Sequence, residues 1–210
     1  MDIFLLGAGD HSLVLLDALD LNRAVVRGIV DPAHDTGSLV LGIRVIDEQS
    51  LLALDRSRVV LVNGVGGRDS VSKRSEIFRR YTSLGFQFRG VIHPSVTVAR
   101  ECVIDPTAQI MAGVVVQPRV QIGANTVVNT SAVIEHDCVM GMSCFIGPRS
   151  VLSGRVSIDE EAFVGAGATV LPGVKIGAHS VVGAGAVVTR DVVAQRTVVG
   201  NPAREYGAPS

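Results

Sequence analysis

The sequence predicts two parts joined end to end. A small Rossmann-like α/β domain is expected over residues 1–90, and an all-β parallel β-helix of hexapeptide repeats over 91–210. Three observations carry this. From Ile92 to Val188 every sixth residue is Ile, Val, Leu or Met, through seventeen hexads. Four residues after each stands a small or β-branched residue, such as Ala108, Thr126, Ala132, Cys138, Ser150, Ala168 or Ala186. The first 88 residues lack this period and alternate strand-like with helix-like stretches. An α-helix turns every 3.6 residues, so a period of six is no helical face. It suits short strands joined by tight corners, with one large and one small side chain turned inward per strand.

The elements follow in order. Residues 3–6 form an apolar run that ends in Gly7-Ala8-Gly9, a strand entering a glycine turn. Residues 12–19 have helical spacing, and 24–30 read as a second strand closed by Asp31-Pro32. Residues 48–54 suggest a short helix, 58–62 a buried strand ending at Asn63-Gly64, 70–84 a charged amphipathic helix, and 86–91 a last strand. Such alternation argues for a small parallel sheet. The junction at residues 90–94 has no linker composition, so the two parts should abut rigidly. Three hexads make one triangular coil, so the repeats give between five and six coils. At about 4.8 Å per coil the prism is roughly 25 Å tall, and residues eighteen apart lie above one another.

Composition narrows the function. The net charge is −1, which implies no nucleic-acid-binding surface. No apolar run approaches the roughly 18 residues that would span a bilayer. The opening Met1-Asp2-Ile3 has no basic start, so no cleaved leader is expected. Cys102, Cys138 and Cys144 all occupy the small inward position. They read as buried thiols in a reducing, cytoplasmic compartment, neither disulfide-linked nor metal-bound. Counted modulo eighteen, His93, His136 and His179 fall on different parts of the coil, so within one chain they cannot converge on a metal.

Three motifs stand in order along this scaffold. They are the Gly7-Ala8-Gly9 turn, the segment Asn129-Thr130-Ser131-Ala132-Val133-Ile134-Glu135-His136-Asp137-Cys138, and Gly200-Asn201-Pro202-Ala203-Arg204. Together with the hexads they resemble, over nearly the whole chain, the bacterial hexapeptide-repeat sugar acetyltransferases. That family includes sialic-acid O-acetyltransferase and the UDP-4-amino-sugar and GDP-perosamine N-acetyltransferases. The resemblance implies a left-handed β-helix, a homotrimer with active sites between subunits, acetyl-CoA as donor and no metal. It also implies acetyl transfer to the amine of a nucleotide-linked amino-deoxy sugar. O-acetylation of a sugar of the sialic-acid type is the alternative reading, and a non-catalytic scaffold that binds a nucleotide sugar is a third.

His136 is the third residue of its hexad, an outward corner. Acetyl transfer needs a base for the nucleophile's proton, and a neutral imidazole suits that at neutral pH. A neighbouring carboxylate can fix the tautomer. The resemblance favours Asp137 for this, with Glu135 in reserve. Gly154, eighteen residues on, is expected to leave space for a ligand. Many relatives carry a second histidine nine residues after the first, where this chain has Phe145. The turn of Gly7, Gly9, Asp10 and His11 opens a helix, the context in which backbone N–H groups cradle phosphate. Asp31 could accept a ribose hydroxyl, and Gly64, Gly66 and Gly67 are expected in the same crevice. For coenzyme A the candidates are Gly165-Ala166-Gly167 and Gly183-Ala184-Gly185, with Arg204 at the phosphates.

Overall fold

The computed structural model describes residues 1–67 and 71–207. The expected helix start at residue 70 and the tail 208–210 lie outside the described residues. The first part comprises β1 (Asp2–Leu6), α1 (Asp10–Leu21), β2 (Val26–Val30), β3 (Leu39–Val40), β4 (Ile43–Ile46), α2 (Glu48–Leu52), β5 (Val59–Asn63), α3 (Val71–Ser83) and β6 (Gln87–Phe88). They form one sheet of order β3-β4-β2-β1-β5-β6. Its pairs are parallel except for the β3–β4 hairpin. Alternation along β1 sends Ile3 and Leu5 to a core shared with Leu15, Ala18 and Leu19 of α1. Phe4 and Leu6 face the opposite core of Leu51, Tyr81 and Phe86. The hairpin is a feature that sequence reading missed. Its turn, Leu41-Gly42, has positive φ at both residues (56° and 76°), a geometry usually announced by Asn-Gly or Asp-Gly.

Seventeen two-residue strands follow, from Val91–Ile92 to Val187–Val188. They stack into three parallel sheets, the faces of a prism, and every rung pairs with the strand eighteen residues away. The first face contains Gln109–Ile110, Val127–Val128, Phe145–Ile146 and Phe163–Val164. The second contains Val115–Val116 and Val133–Ile134, and the third Gln121–Ile122 and Val139–Met140. From Ala108 upward the register residues and their small partners fill one core, Cys138 and Cys144 among them, whereas Ile92 and Val98 of the first coil are exposed, because no coil lies below to cover them. Burial raises these two thiols to about 11 and about 12. Corners bend through left-handed residues three after the register position, among them Gly113, Arg119, Asp137 and Gly167.

The expected strand over residues 86–91 is divided. Gln87–Phe88 joins the α/β sheet, whereas Val91–Ile92 pairs with Gln109–Ile110 of the prism. The break is at Gly90, where a Cβ would lie 1.8 Å from the carbonyl oxygen of Ala108. Only glycine lets the chain pass so close to the next coil.

The α/β part sits on the first face. Met111 enters the core beneath α1 beside Val91. Fully buried Arg74 donates to the carbonyls of Asn63 (3.0 Å), Val65 (2.7 Å) and Asn125 (2.9 Å), so it ties β5 to the prism. Desolvation lowers its pKa to about 9. Ser75 donates to buried Glu161 (2.8 Å), which Arg79 also reaches (2.9 Å). Apolar packing and these bonds together make up the seam between the two parts.

Candidate active site

The second-face strand Val133–Ile134 runs into the edge that carries Glu135, His136 and Asp137. Buried Ile134 and Cys138 anchor the chain on either side, so the residues between them turn outward. Asp137 takes the left-handed corner, φ 62°. His136 Nδ1 lies 2.7 Å from Asp137 Oδ2. Asp137 also receives a two-pronged contact from Arg119, with Nε to Oδ1 at 2.6 Å and Nη2 to Oδ2 at 2.9 Å. Those bonds, from Arg119 first and then His136, hold the Asp137 carboxyl well below the usual carboxylate range. An ionised carboxylate can only accept, so Nδ1–H donates to it and Nε2 keeps its lone pair. Glu135 takes no part in these contacts. Arg119 went unnoticed in the sequence, although its signal was there: it stands eighteen residues before Asp137, one coil below at the same corner.

Gly154 occupies the same edge one coil above, but the reason for glycine differs from the expected one. A Cβ there would lie 2.6 Å from His136 Nε2, so the residue makes room for the imidazole itself.

The glycines expected at coenzyme A divide in the same way. A Cβ at Gly165 would meet Ala184 N at 2.5 Å, and one at Gly183 would meet the Val199 side chain at 2.8 Å. Both permit close approach of the next stretch of chain. Gly167 and Gly185 are left-handed corners, each with φ 67°. Gly165, Ala166, Gly183 and Ala184 follow first-face strands and so border the first and second faces, a different edge from that of His136. Arg204 lines a depression of about 200 Å³ together with Arg190 and Arg196.

At the other part of the molecule, a cleft of about 490 Å³ opens beside the C-terminal ends of β1 and β2. Gly7, Asp31, Pro32, His34, Lys73, Arg80 and Tyr81 are among its lining. Of the substrate residues expected from sequence, Gly7 and Asp31 line it, whereas Gly9, Asp10, His11, Gly64 and Gly66 do not. Asp31 accepts the backbone N–H groups of Ala8 (2.7 Å) and Ala33 (2.8 Å), so it holds the glycine turn in place. Gly64 is a close-approach point, since a Cβ there would sit 2.2 Å from the buried Ser12 hydroxyl. Gly66 gives space to the His11 ring, 2.6 Å from a would-be Cβ. His11 Nε2 meets Gln109 Oε1 at 2.9 Å across the seam. Desolvation, then the charge of Arg74, lower its pKa to about 4 despite that bond. His34, Lys73, Arg80 and Tyr81 were missed because the cleft gathers them from distant segments.

Phe145 belongs to the seam. It stacks on Phe163 one coil above (5.4 Å, 13°) and meets the His11 ring edge-on at 6.3 Å. It packs with Val71 and Val127 in a small apolar cluster. Among the described residues, no three His, Cys, Asp or Glu side chains gather as metal ligands. Likewise, no helix is long and apolar enough to cross a membrane.

Comparison with known proteins gives concordant results. The family described as bacterial transferase hexapeptide (six repeats) matches residues 155–190. PerB from Caulobacter crescentus, solved with CoA and GDP-perosamine, is 35% identical with a TM-score of 0.91, over 99% of this chain and 98% of that one. The acetyltransferase domain of PglB from Neisseria gonorrhoeae, solved with acetyl coenzyme A, is 30% identical with a TM-score of 0.89, over 98% of each chain. WeeI from Acinetobacter baumannii, at 22% identity and a TM-score of 0.79, shares the fold.

Proposed function

Because this chain belongs to the hexapeptide-repeat sugar acetyltransferases, we propose that it moves the acetyl group of acetyl-CoA onto the amine of a nucleotide-linked amino-deoxy sugar. One observation carries the reading. At an open edge, His136 Nδ1 is bonded to Asp137 at 2.7 Å while Nε2 lies over Gly154, in a chain matched along its full length by such enzymes. The sugar amine attacks the thioester carbonyl carbon, and His136 Nε2 takes its proton. Collapse of the tetrahedral intermediate expels the CoA sulfur, which receives that proton from the imidazolium. Asp137 keeps the ring in the Nδ1–H tautomer throughout. GDP-perosamine, an amino sugar found with CoA on PerB, supports the amine over a hydroxyl.

The edge geometry also favours a shared site. His136 lies on the edge between the second and third faces, opposite the first face on which the α/β part sits. A nucleotide in the cleft of one chain would then meet His136 of a neighbouring copy more readily than that of its own chain. A homotrimer that sets the His136 edge of one copy beside the cleft and glycine edge of the next would unite Gly165, Ala166, Gly183 and Ala184 with the base. On the His136 edge itself, Arg190 stands three coils higher, about 14 Å away by coil rise. With Arg204 it would meet the phosphates of coenzyme A. In the cleft, Asp31 shapes the turn, and Lys73 and Arg80 would offer the diphosphate its cations.

The test is thiol release from acetyl-CoA with a panel of UDP-, GDP- and dTDP-linked amino sugars. Release with at least one amine acceptor is expected. Release only with hydroxyl acceptors would replace the reading by O-acetylation, and no release with any acceptor would leave a binding scaffold.

A further inference from the structure

Arg119 has no part in the transfer described above, yet at the His136 edge it makes a side-chain contact of 2.6 Å to Asp137, shorter than that between His136 and Asp137. We infer that Arg119 is a positioning residue for the reaction, which locks the Asp137 carboxylate and through it the tautomer and orientation of His136. The inference rests on His136 being the base.

The column of corner residues around Asp137 makes the argument specific. Reading upward by eighteens it runs Glu101, Arg119, Asp137, Arg155 and Gly173. Asp137 thus has an arginine one coil below and another one coil above, and it bonds only the lower one. That contact is a fork, with Nε and Nη2 each engaging a different carboxylate oxygen at 2.6 and 2.9 Å. A fork fixes the plane of the carboxylate as well as its place, which a single bond or a point charge does not. Oδ2 is shared between Arg119 Nη2 and His136 Nδ1, so the plane set by Arg119 decides where the imidazole proton points.

The edge needs such a lock because it is open. The side chains of His136 and Asp137 are 46% and 29% exposed. Without the fork, Asp137 can turn its oxygens to water. The His136 ring is then free to flip, and its proton can occupy either nitrogen. A ring protonated on Nε2 has no lone pair for the sugar amine. Because an exposed ion pair adds little to stability, loss of the fork should act on the reaction far more than on the fold.

The decisive experiment pairs kinetics with ¹⁵N NMR of the histidine side chains in the full-length protein. Arg119→Gln should lower kcat about tenfold, with KM for both substrates within about twofold. Its His136 resonances should shift from the Nδ1–H pattern to a mixture of tautomers. Arg119→Lys restores charge without the fork and should recover only part of the rate. In an Asp137→Asn background, Arg119→Gln should cost less than about twofold more, since both substitutions break one unit. Arg155→Gln is the control and should leave rate and tautomer unchanged. The inference is overturned if His136 in Arg119→Gln keeps the Nδ1–H pattern, if the two losses multiply, or if Arg119→Lys recovers the full rate. If the wild-type protein acetylates no amino sugar, the acceptor reading fails, while the tautomer measurement still decides the role of Arg119.

Discussion

Two histidines divide the molecule's chemistry. His136 stands on an open edge, bonded to a carboxylate that is itself held by an arginine. His11 is enclosed in the seam, bonded to the Gln109 amide with the Arg74 cation nearby. Desolvation and that cation drive His11 to about 4, so at neutral pH it is a neutral, weakly basic ring that joins two parts of the chain. His136 is half-exposed, with Nδ1 bonded to Asp137. The residue type is the same, but its surroundings make one a candidate base and the other a structural joint.

Substitutions can break this comparison. The largest effect is expected for His136→Ala, which should lower kcat roughly a thousandfold with an unchanged circular dichroism spectrum. Retention of more than about a tenth of the rate would remove the distinction between the two sites. Next, the seam should depend on its aromatic stack. Phe145→Ala should cost about 3 kcal/mol in urea unfolding, because a fully packed ring leaves a cavity.

The pH behaviour of His11 tests the electrostatic half of the comparison. Its pKa is lowered on folding, so below about 6.5 the unfolded chain binds a proton that the folded chain refuses until about 4. Stability should therefore fall as pH drops through that window and level off below it. The loss between pH 7 and 5 should be about 2 kcal/mol. His11→Gln should flatten that part of the profile, and an unchanged slope would show that other groups cause it. The smallest effect expected is at Gly154. The Cβ of Gly154→Ala would press on Nε2 from 2.6 Å, and the exposed ring can swing aside. Melting should hardly change, whereas kcat should fall about tenfold. An unaltered rate would mean that the ring position seen here is not the reactive one.

The prism was legible because its grammar is local. One large and one small inward residue per hexad fixed the burial of Ile134 and Cys138, and with it the outward turn of His136. The same arithmetic could have supplied Arg119, since eighteen residues always mean one coil. The β3–β4 hairpin was not legible, because Leu41-Gly42 lacks the usual turn residues and both strands are very short. The seam left no pattern either. Met111, Gln109, Asn125 and Phe145 occupy ordinary hexad positions, and only contact with α1, α3 and β5 shows that these outward positions are covered. At Gly154, Gly64 and Gly66 the missing Cβ makes room for a side chain of this chain, a contact that neither the hexads nor the glycine turn announced.

By itself the sequence determined the scaffold, the inward and outward sides of each coil, and the His136–Asp137 pair. Each of these follows from neighbours or from a strict period along the chain. The tertiary structure alone decided which prism face the α/β part covers. That choice puts the β1–β2 cleft and the His136 edge on different sides of one chain, made His11 a joint, and brought Lys73, Arg80 and Tyr81 into one cleft with Asp31. Such facts depend on distant segments meeting through burial of apolar surface and pairing of buried polar groups, and no local period encodes them.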